Sequence, residues 1–351
     1  MKETSTLGMD LGDTKIMICE LDALGEEVSM RSVSTTTAGL KRYLKARASC
    51  LIALEAGTHS GWISRLLESL GHEVVVGNPR KLRAIWQSDN KNDMRDAQML
   101  ARIARFDPQL LYPIHHRGER AQSHLSMIRA RDALVRARRV LVGSARGLVK
   151  TQGSRISKCS AECFHKRLLA EMPTALQAAL APLAASLERI SQQIRVFDRQ
   201  IEELGREHYP QTQVLQAING VGTLTSLAFV LTIEESSRFQ GSRQVGAFLG
   251  LTPKRDQSGA IDKPLSITKA GDSALRRLLV QSAQYILGHF GQDCDLRRFG
   301  LKLAARGDKV AKRRAVVAVA RKLAVLMHSL WKNNSPYDPD YQLRSGSQIA
   351  A

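Results

Sequence analysis

The chain has 351 residues, with 52 Lys and Arg against 33 Asp and Glu, for a formal net charge of +19. Apolar residues at 43% are enough to build a core and exclude bulk disorder, while aromatics at 5% argue against a surface made of base-stacking platforms. A charge this positive marks a polyanionic partner, either nucleic acid or an anionic membrane surface.

The excess is uneven. Residues 1–114 carry 15 basic and 14 acidic side chains, a net of +1, whereas residues 115–351 carry 37 and 19, a net of +18. A near-neutral module is thus followed by a strongly basic remainder, and the length suits two domains or one with appendages. Cys19, Cys50, Cys159, Cys163 and Cys294 are odd in number and scattered, and the opening residues lack an apolar leader, so a reducing cytoplasm is expected. The apolar stretch Leu168–Leu187 holds Glu171, Pro173 and Pro182 and is no membrane span. Cys159, Cys163 and His165 lack a second ligand pair at zinc spacing and read as ordinary side chains.

Thr6–Leu11, Lys15–Leu21 and Glu27–Ser34 predict a three-stranded antiparallel meander, with turns at Gly12-Asp13-Thr14 and Asp22–Gly25. Gly39–Arg47 has helical spacing, and the continuous apolar run Cys50–Leu54 predicts a buried parallel strand. Trp62, Ile63, Leu66, Leu67 and Leu70 form one helical face that Gly71 terminates, Glu73–Val76 is a fifth strand, Pro79 opens a helix, and Asp93–Phe106 is another. The order β-β-β-α-β-α-β-α is the plan of a ribonuclease-H-like domain, expected over 1–114.

Residues 115–208 change character. Met127/Ile128, Leu134/Val135, Leu141/Val142 and Leu148/Val149 recur every seven residues, with arginines between them. Leu183, Leu187, Ile190, Ile194, Phe197, Ile201 and Leu204 step by four and three in alternation. Both predict coiled-coil seams, pairing as an antiparallel hairpin within the chain or between chains. The pair is either a helical spacer or an assembly arm whose arginine-coated back touches nucleic acid.

Residues 209–334 predict a mostly helical domain, and 335–351 a flexible tail. Ile218-Asn219-Gly220-Val221-Gly222 before an apolar helix resembles the hairpin of helix-hairpin-helix modules, where Gly220 and Gly222 would let backbone N–H groups approach a phosphate; the alternative is a glycine-rich helix start packed inside the domain. Thr252–Pro264 reads as a polar loop, with Lys254, Arg255 and Lys269 suited to phosphate, as are Arg276 and Arg277 after it. Between Arg297 and Lys322 ten basic residues, Arg313 and Arg314 among them, face Asp308 alone, a density that favours phosphate contacts over a merely solvated face.

Four carboxylates stand out by position. Asp10 lies in the first strand, Glu55 closes the fourth, which this topology sets beside the first, and Asp93 and Asp96 share one face at a helix start. Converging carboxylates repel unless a cation sits between them, and hard oxygen ligands suit Mg²⁺, with room for two ions in phosphoryl transfer. Taken singly, each is an ordinary cap or surface charge.

Met9–Gly12, Leu54–Thr58 and Lys91–Ala97 resemble the DEDD, RuvC-like domain of the transposases of insertion-sequence family one hundred and ten, related to the Piv-type DNA invertases. Leu215–Gly222, Ser237–Phe239, Gly250–Pro253, Gln257–Gly259 and Gly271–Val280 are similar to that family's C-terminal domain. The resemblance implies a DNA recombinase guided by a structured element-encoded RNA. It makes Asp10, Glu55, Asp93 and Asp96 the Mg²⁺ ligands, with Mn²⁺ as a substitute, and Ser258 the nucleophile. It further implies donor and target DNA as partners and a dimer or tetramer that shares active sites between protomers. From the residues alone, Ser258 before Gly259 is a turn residue. The alternative reading is a hydrolytic RuvC-like nuclease or junction resolvase that uses the carboxylates alone. Asp10–Lys15 also resembles a phosphate loop of actin-like ATPases, but no second such loop or adenosine motif follows.

Overall fold

The computed structural model describes residues 5–82, 92–258, 261–342 and 344. They form two compact units, 1–119 and 120–351.

The first unit is a mixed five-stranded sheet with helices on both faces. Its strands are β1 (Thr6–Leu11), β2 (Lys15–Leu21), β3 (Glu27–Ser34), β4 (Leu51–Glu55) and β5 (Glu73–Gly77), in the order β3-β2-β1-β4-β5. The first three are antiparallel, and β4 and β5 run parallel to β1. The helices are α1 (Thr37–Leu44), α2 (Ser60–Ser69), the short α3 (Pro79–Leu82) and α4 (Asp93–Phe106). A mixed sheet of this order is consistent with the RuvC-like plan.

Side-chain alternation divides the sheet faces. Leu7 and Met9 of β1 and Ile52 and Leu54 of β4 pack with Leu40 and Leu44 of α1 and Ile63 and Leu67 of α2. Leu51 and Ala53 face the other way, onto Leu100 and Ala104 of α4. Gly8 lies on this second face. A Cβ there would overlap the Ala97 carbonyl oxygen and the Ala101 nitrogen, so α4 crosses β1 at backbone contact. The α4 stripe of Ala97, Ala101 and Ala104 is correspondingly small, and Asn92 caps the helix by accepting from the Met94 N–H at 3.1 Å.

In the second unit, α5 (Glu119–Thr151) and α7 (Gln177–His208) form an antiparallel helical pair within the chain, with α6 (Phe164–Glu171) between them. Leu125 and Ile128 pack with Ile201 and Leu204 at one end, and Ala145 and Val149 with Leu180, Ala184 and Leu187 at the other. Arg131 pairs with Asp198 at 2.5 Å, and Arg138 donates to Ser191 at 3.3 Å, in the middle. Of the four predicted apolar doublets, the two at the ends bury their second residue, Ile128 and Val149, whereas Val135 and Val142 are half-buried and Leu148 stays exposed.

Then follow α8 (Gln211–Gln216), α9 (Thr223–Ile233), α10 (Arg243–Phe248), the antiparallel hairpin β6 (Pro253–Ser258) and β7 (Ile261–Ile267), α11 (Ser273–Leu287), α12 (Asp295–Ala304) and α13 (Lys309–Asn333). Every residue of α9 from Thr225 to Ile233 is buried, which makes it the central helix of this bundle; Phe229 meets the Trp331 ring of α13 edge-on. The polar loop expected over Thr252–Pro264 is a correction: it is the β6–β7 hairpin. Residues 335–342, expected as part of a flexible tail, are a second correction. Arg298 of α12 bonds Asp340 at 2.6 Å, the Asp295 N–H donates to the Pro339 carbonyl at 2.8 Å, and Tyr337 packs on the core. Among the described residues, no single helix is long and apolar enough to cross a membrane.

His328 of α13 is fully buried; its Nε2 donates to the Ser236 carbonyl at 2.9 Å, so Nδ1 accepts from the Ser242 hydroxyl at 2.9 Å. Burial holds this imidazole below its ordinary pKa, and it acts in the same direction on His72 and His116. The unfolded chain then binds protons that the folded chain refuses. Stability is therefore full above about pH 6.5 and falls as pH drops through the window below it. The melting temperature should decrease between about pH 7.5 and 5.5, and His328→Gln should flatten that slope; an unchanged slope in the variant would assign the effect elsewhere. At the sheet, Gly8→Val should destabilise by about 3 kcal/mol or more, read from urea midpoints, because backbone rather than a movable side chain meets the new atoms.

Candidate active site and nucleic-acid surface

The register of β1 on β4 pairs Met9 with Leu54, so Asp10 and Glu55 follow as neighbours on adjacent strands, about 4.8 Å apart along the ladder. Alternation puts both on the face that α4 covers: Asp10 two residues beyond Gly8, Glu55 two beyond Ala53. The end of α4 at Arg105 reaches the Ala23 carbonyl in the β2–β3 turn, beside the start of β1. Its first turn therefore lies toward the other end, where Asp10 sits. Asp93 and Asp96 stand one turn before Ala97 and Leu100 and prolong the sheet-facing stripe. The backbone thus gathers four acidic positions at one corner, with Asp10, Glu55 and Asp96 half-buried and Asp93 exposed.

All four offer hard oxygen donors, the kind of ligand that Mg²⁺ takes. Their side chains are not drawn together: among the described residues, no three His, Cys, Asp or Glu side chains close on a point as a ligand set. Lys91, part of the sequence motif around Asp93, lies outside the described residues.

A second group at the same sheet edge is not visible in the sequence. His59, in the turn after β4, meets Asp13, in the turn after β1, at 3.1 Å, and Trp62 donates its indole N–H to His59 Nδ1 at 3.2 Å. An indole only donates, so Nδ1 accepts and Nε2 carries the proton toward Asp13. The residues lie 46 apart, and only the parallel β1–β4 pairing joins them. Cys50 and His72, at 3.3 Å, look like a nucleophile with its base, but burial pushes the thiol up to about 11 and the imidazole down. That pair stays neutral and is part of the core.

In the second unit Ser258 is the last residue of β6 and pairs with Ile261 at the hairpin tip; Gly259 lies outside the described residues. Lys254 and Arg255 are exposed on the same strand. The hairpin stem is closed by the segments on either side. Gly250 and Gly271 both have left-handed backbones, with φ of +67° and +66°, and a Cβ at either would strike backbone of the facing segment. Lys269 is also left-handed, and its N–H donates to the Gly250 carbonyl at 3.1 Å. Arg276 lies beneath and bonds the Leu249 and Ala270 carbonyls at 3.0 and 2.6 Å. That guanidinium clamps the stem, a structural task.

Arg277 is likewise engaged, bonding Asp132 at 2.7 Å. The glycines between α8 and α9 divide. Gly220, at φ +89°, is pressed against Tyr285, Ile286 and Ser282 of α11. Gly222 stands at the start of α9, and a Cβ added there would meet nothing within 4 Å. Packing therefore accounts for the first, and an open helix start remains at the second. Arg313 and Arg314 are exposed on α13 and carry no ion pair among the described residues.

Comparison with known proteins gives the class. Residues 212–295 match the Transposase IS116/IS110/IS902 family, and residues 7–151 match the DEDD transposase family of the IS110 group. The chain is similar to the transposase for insertion sequence element IS1111A of Coxiella burnetii, at 26% identity over 96% of this chain and 92% of the relative. It is 30% identical to the transposase for insertion sequence element IS1328 of Yersinia enterocolitica, over 81% of this chain and 84% of that one. It is also similar to the pilin gene-inverting protein of Moraxella bovis, at 26% identity over 82% and 81%. A mixed sheet with an acidic corner and these matches define a DNA transposase. The chain belongs to the IS110 family of DEDD transposases.

Arg276→Ala should lower stability by about 1–3 kcal/mol in a urea melt, because two carbonyls lose a charged donor. The same variant should leave the salt dependence of DNA binding unchanged. A reduced salt slope at unchanged stability would instead make Arg276 a phosphate contact.

Proposed function

We propose that this transposase cuts and rejoins DNA through Ser258, assisted by Mg²⁺ at Asp10, Glu55, Asp93 and Asp96. The observation that carries the proposal is the convergence of those four positions at the end of β1 and β4, in a chain whose family is that of DEDD transposases. The Ser258 hydroxyl oxygen attacks a DNA phosphorus; the new P–Oγ bond forms as the P–O3′ bond breaks. The serine proton leaves, and the departing 3′-oxygen gains one, giving a 5′-phosphoserine link and a free 3′-hydroxyl. Bond energy is thereby kept for rejoining. Mg²⁺, when bound, polarises the phosphate and stabilises the leaving oxygen.

The four carboxylates hold and orient the ion, and Lys254 and Arg255, on the strand that leads to Ser258, attract the phosphate backbone. The DNA is donor and target, and the structured guide RNA encoded by the element supplies sequence choice by base pairing. The names of the relatives cover insertion-sequence transposition and gene inversion; both need strands to be cut and rejoined. The active assembly is a dimer or tetramer built through the α5–α7 pair, with the acidic corner of one protomer serving the Ser258 hairpin of another.

Incubation with element-end DNA and Mg²⁺, followed by denaturing electrophoresis, should show a covalent protein–DNA adduct that is absent in Ser258→Ala and in Asp10→Ala. An adduct that persists in Ser258→Ala removes Ser258 as nucleophile, and strand cleavage without any adduct supports water as the attacking group.

A further inference from the structure

Asp10 and Glu55 lie one residue beyond the end of the ladder between their strands. The register that pairs β1 with β4 runs from Thr6 with Leu51 to Met9 with Leu54 and stops there. One residue on, β1 continues against β2, where Asp10 pairs with Met17 and Leu11 with Ile16, and Glu55 of β4 pairs with Gly77 of β5. The spacing of the two carboxylates therefore depends on what joins the chain beyond the ladder.

Each strand runs into a turn that is itself fixed. After β1, the Gly12 N–H donates to the Lys15 carbonyl at 3.0 Å, and the Thr35 N–H donates to the Thr14 carbonyl at 3.0 Å. The Thr35 hydroxyl donates to the Gly12 carbonyl at 2.9 Å. After β4, the hydroxyl of the fully buried Ser60 accepts from the Gly57 N–H at 2.9 Å and donates to the Gly57 carbonyl at 2.8 Å. The 3.1 Å contact of His59 Nε2 with Asp13 Oδ1 ties one turn to the other. His59 is held on its own side: its carbonyl accepts from the Ile63 N–H at 3.1 Å, and the Trp62 indole N–H occupies Nδ1. The ring therefore keeps its proton on Nε2, aimed at Asp13.

We propose that His59 and Asp13 form a clasp that sets the spacing of Asp10 and Glu55, with Trp62 fixing the tautomer that fastens it. All three are positioning residues for strand cleavage. The proposal rests on the reading that the acidic corner carries the chemistry, and adds what holds that corner in register. The Asp13 carboxyl is 94% exposed and the His59 side chain 28%, so their bond contributes little to global stability. Its effect is local. Asp13 stands three residues beyond Asp10 and His59 four beyond Glu55, so a shift of either turn passes directly to a carboxylate. A misplacement of about 1 Å in a reacting site costs on the order of 100-fold in rate. An exposed carboxylate could instead act through its charge. Asp13→Asn separates the two roles, because it removes the charge and keeps an oxygen for the His59 N–H.

The test uses the full chain and element-end DNA with Mg²⁺, and measures single-turnover cleavage and DNA affinity separately. His59→Ala and Asp13→Ala should each slow cleavage about 10- to 100-fold, at unchanged DNA affinity and an unchanged urea midpoint. The double variant should be no slower than the slower single, because either change opens the same clasp. His59→Gln, which keeps an N–H donor, and Asp13→Asn should stay within about 3-fold of wild type. Asp13→Asn as slow as Asp13→Ala, losses that multiply in the double variant, or full rates in both alanine variants overturn the clasp. Slowing that merely tracks a fall in the urea midpoint overturns it too. NMR of ¹⁵N-histidine protein, with His59 assigned by its loss in His59→Gln, reads the tautomer without any activity. Wild type should carry the proton on Nε2, and Trp62→Phe should mix the tautomers; an Nδ1-protonated ring in wild type overturns the clasp. That spectrum decides where an alanine variant fails to fold. Where cleavage is undetectable, Mn²⁺ affinity takes its place: tighter binding in Asp13→Asn than in Asp13→Ala supports the clasp, and equal binding overturns it. If Asp10→Ala cleaves as wild type does, the proposed function of the corner fails. If Asp10→Ala is inactive while His59→Ala and Asp13→Ala keep full rates, this inference alone fails.

Discussion

The approach of α4 to β1 at Gly8 is the contact on which the rest of the first unit depends. With no side chain at position 8, the helix backbone rests on the strand, and the alanines at 97, 101 and 104 keep it there. A helix this close carries its first turn over the ends of β1 and β4, which is how Asp93 and Asp96 come to the corner that holds Asp10 and Glu55. The parallel register sets the other two side by side. Each carboxylate is placed by a packing interaction a few residues away, so the acidity of the corner is maintained by apolar contacts that carry no charge.

The second unit handles its positive charge differently. Its arginines divide into those with carboxylate or carbonyl partners and those without. Arg131 tightens the α5–α7 pair, Arg276 closes the hairpin stem, and Arg298 draws residues 335–342 onto α12. Composition alone counts these together with Arg313 and Arg314, exposed on α13. Only the fold tells which charges are spent on the protein and which are left for a partner.

Most of the first unit was legible. The limits of β1, β2, β3 and α4 follow from period-two alternation, turn residues and the cap at Asn92, and the continuous apolar run of β4 announced a parallel strand. The positions of the four carboxylates followed from that order. The His59–Asp13–Trp62 group was not legible, because it joins two turns that only strand pairing brings together. In the second unit the two long helices were visible in their heptads, though the sequence left open whether they pair within the chain. The β6–β7 hairpin was missed because PKRDQS has no apolar alternation and Pro264 interrupts the return strand, so the turn signal of Ser258 before Gly259 read as part of a loop. The ordering of 335–342 was hidden because it rests on Arg298, Asp295 and backbone groups that are distant in sequence.

The claim that these residues act as one set is tested most directly by Mn²⁺ titration of the full-length protein, followed by electron paramagnetic resonance. Wild type, Asp10→Asn, Asp96→Asn and the double variant form the cycle. Joint ligation predicts that each single change weakens binding and that the two effects are not additive, because both carboxylates hold the same ion. Unchanged Mn²⁺ affinity in both single variants would contradict it, and so would losses that simply add.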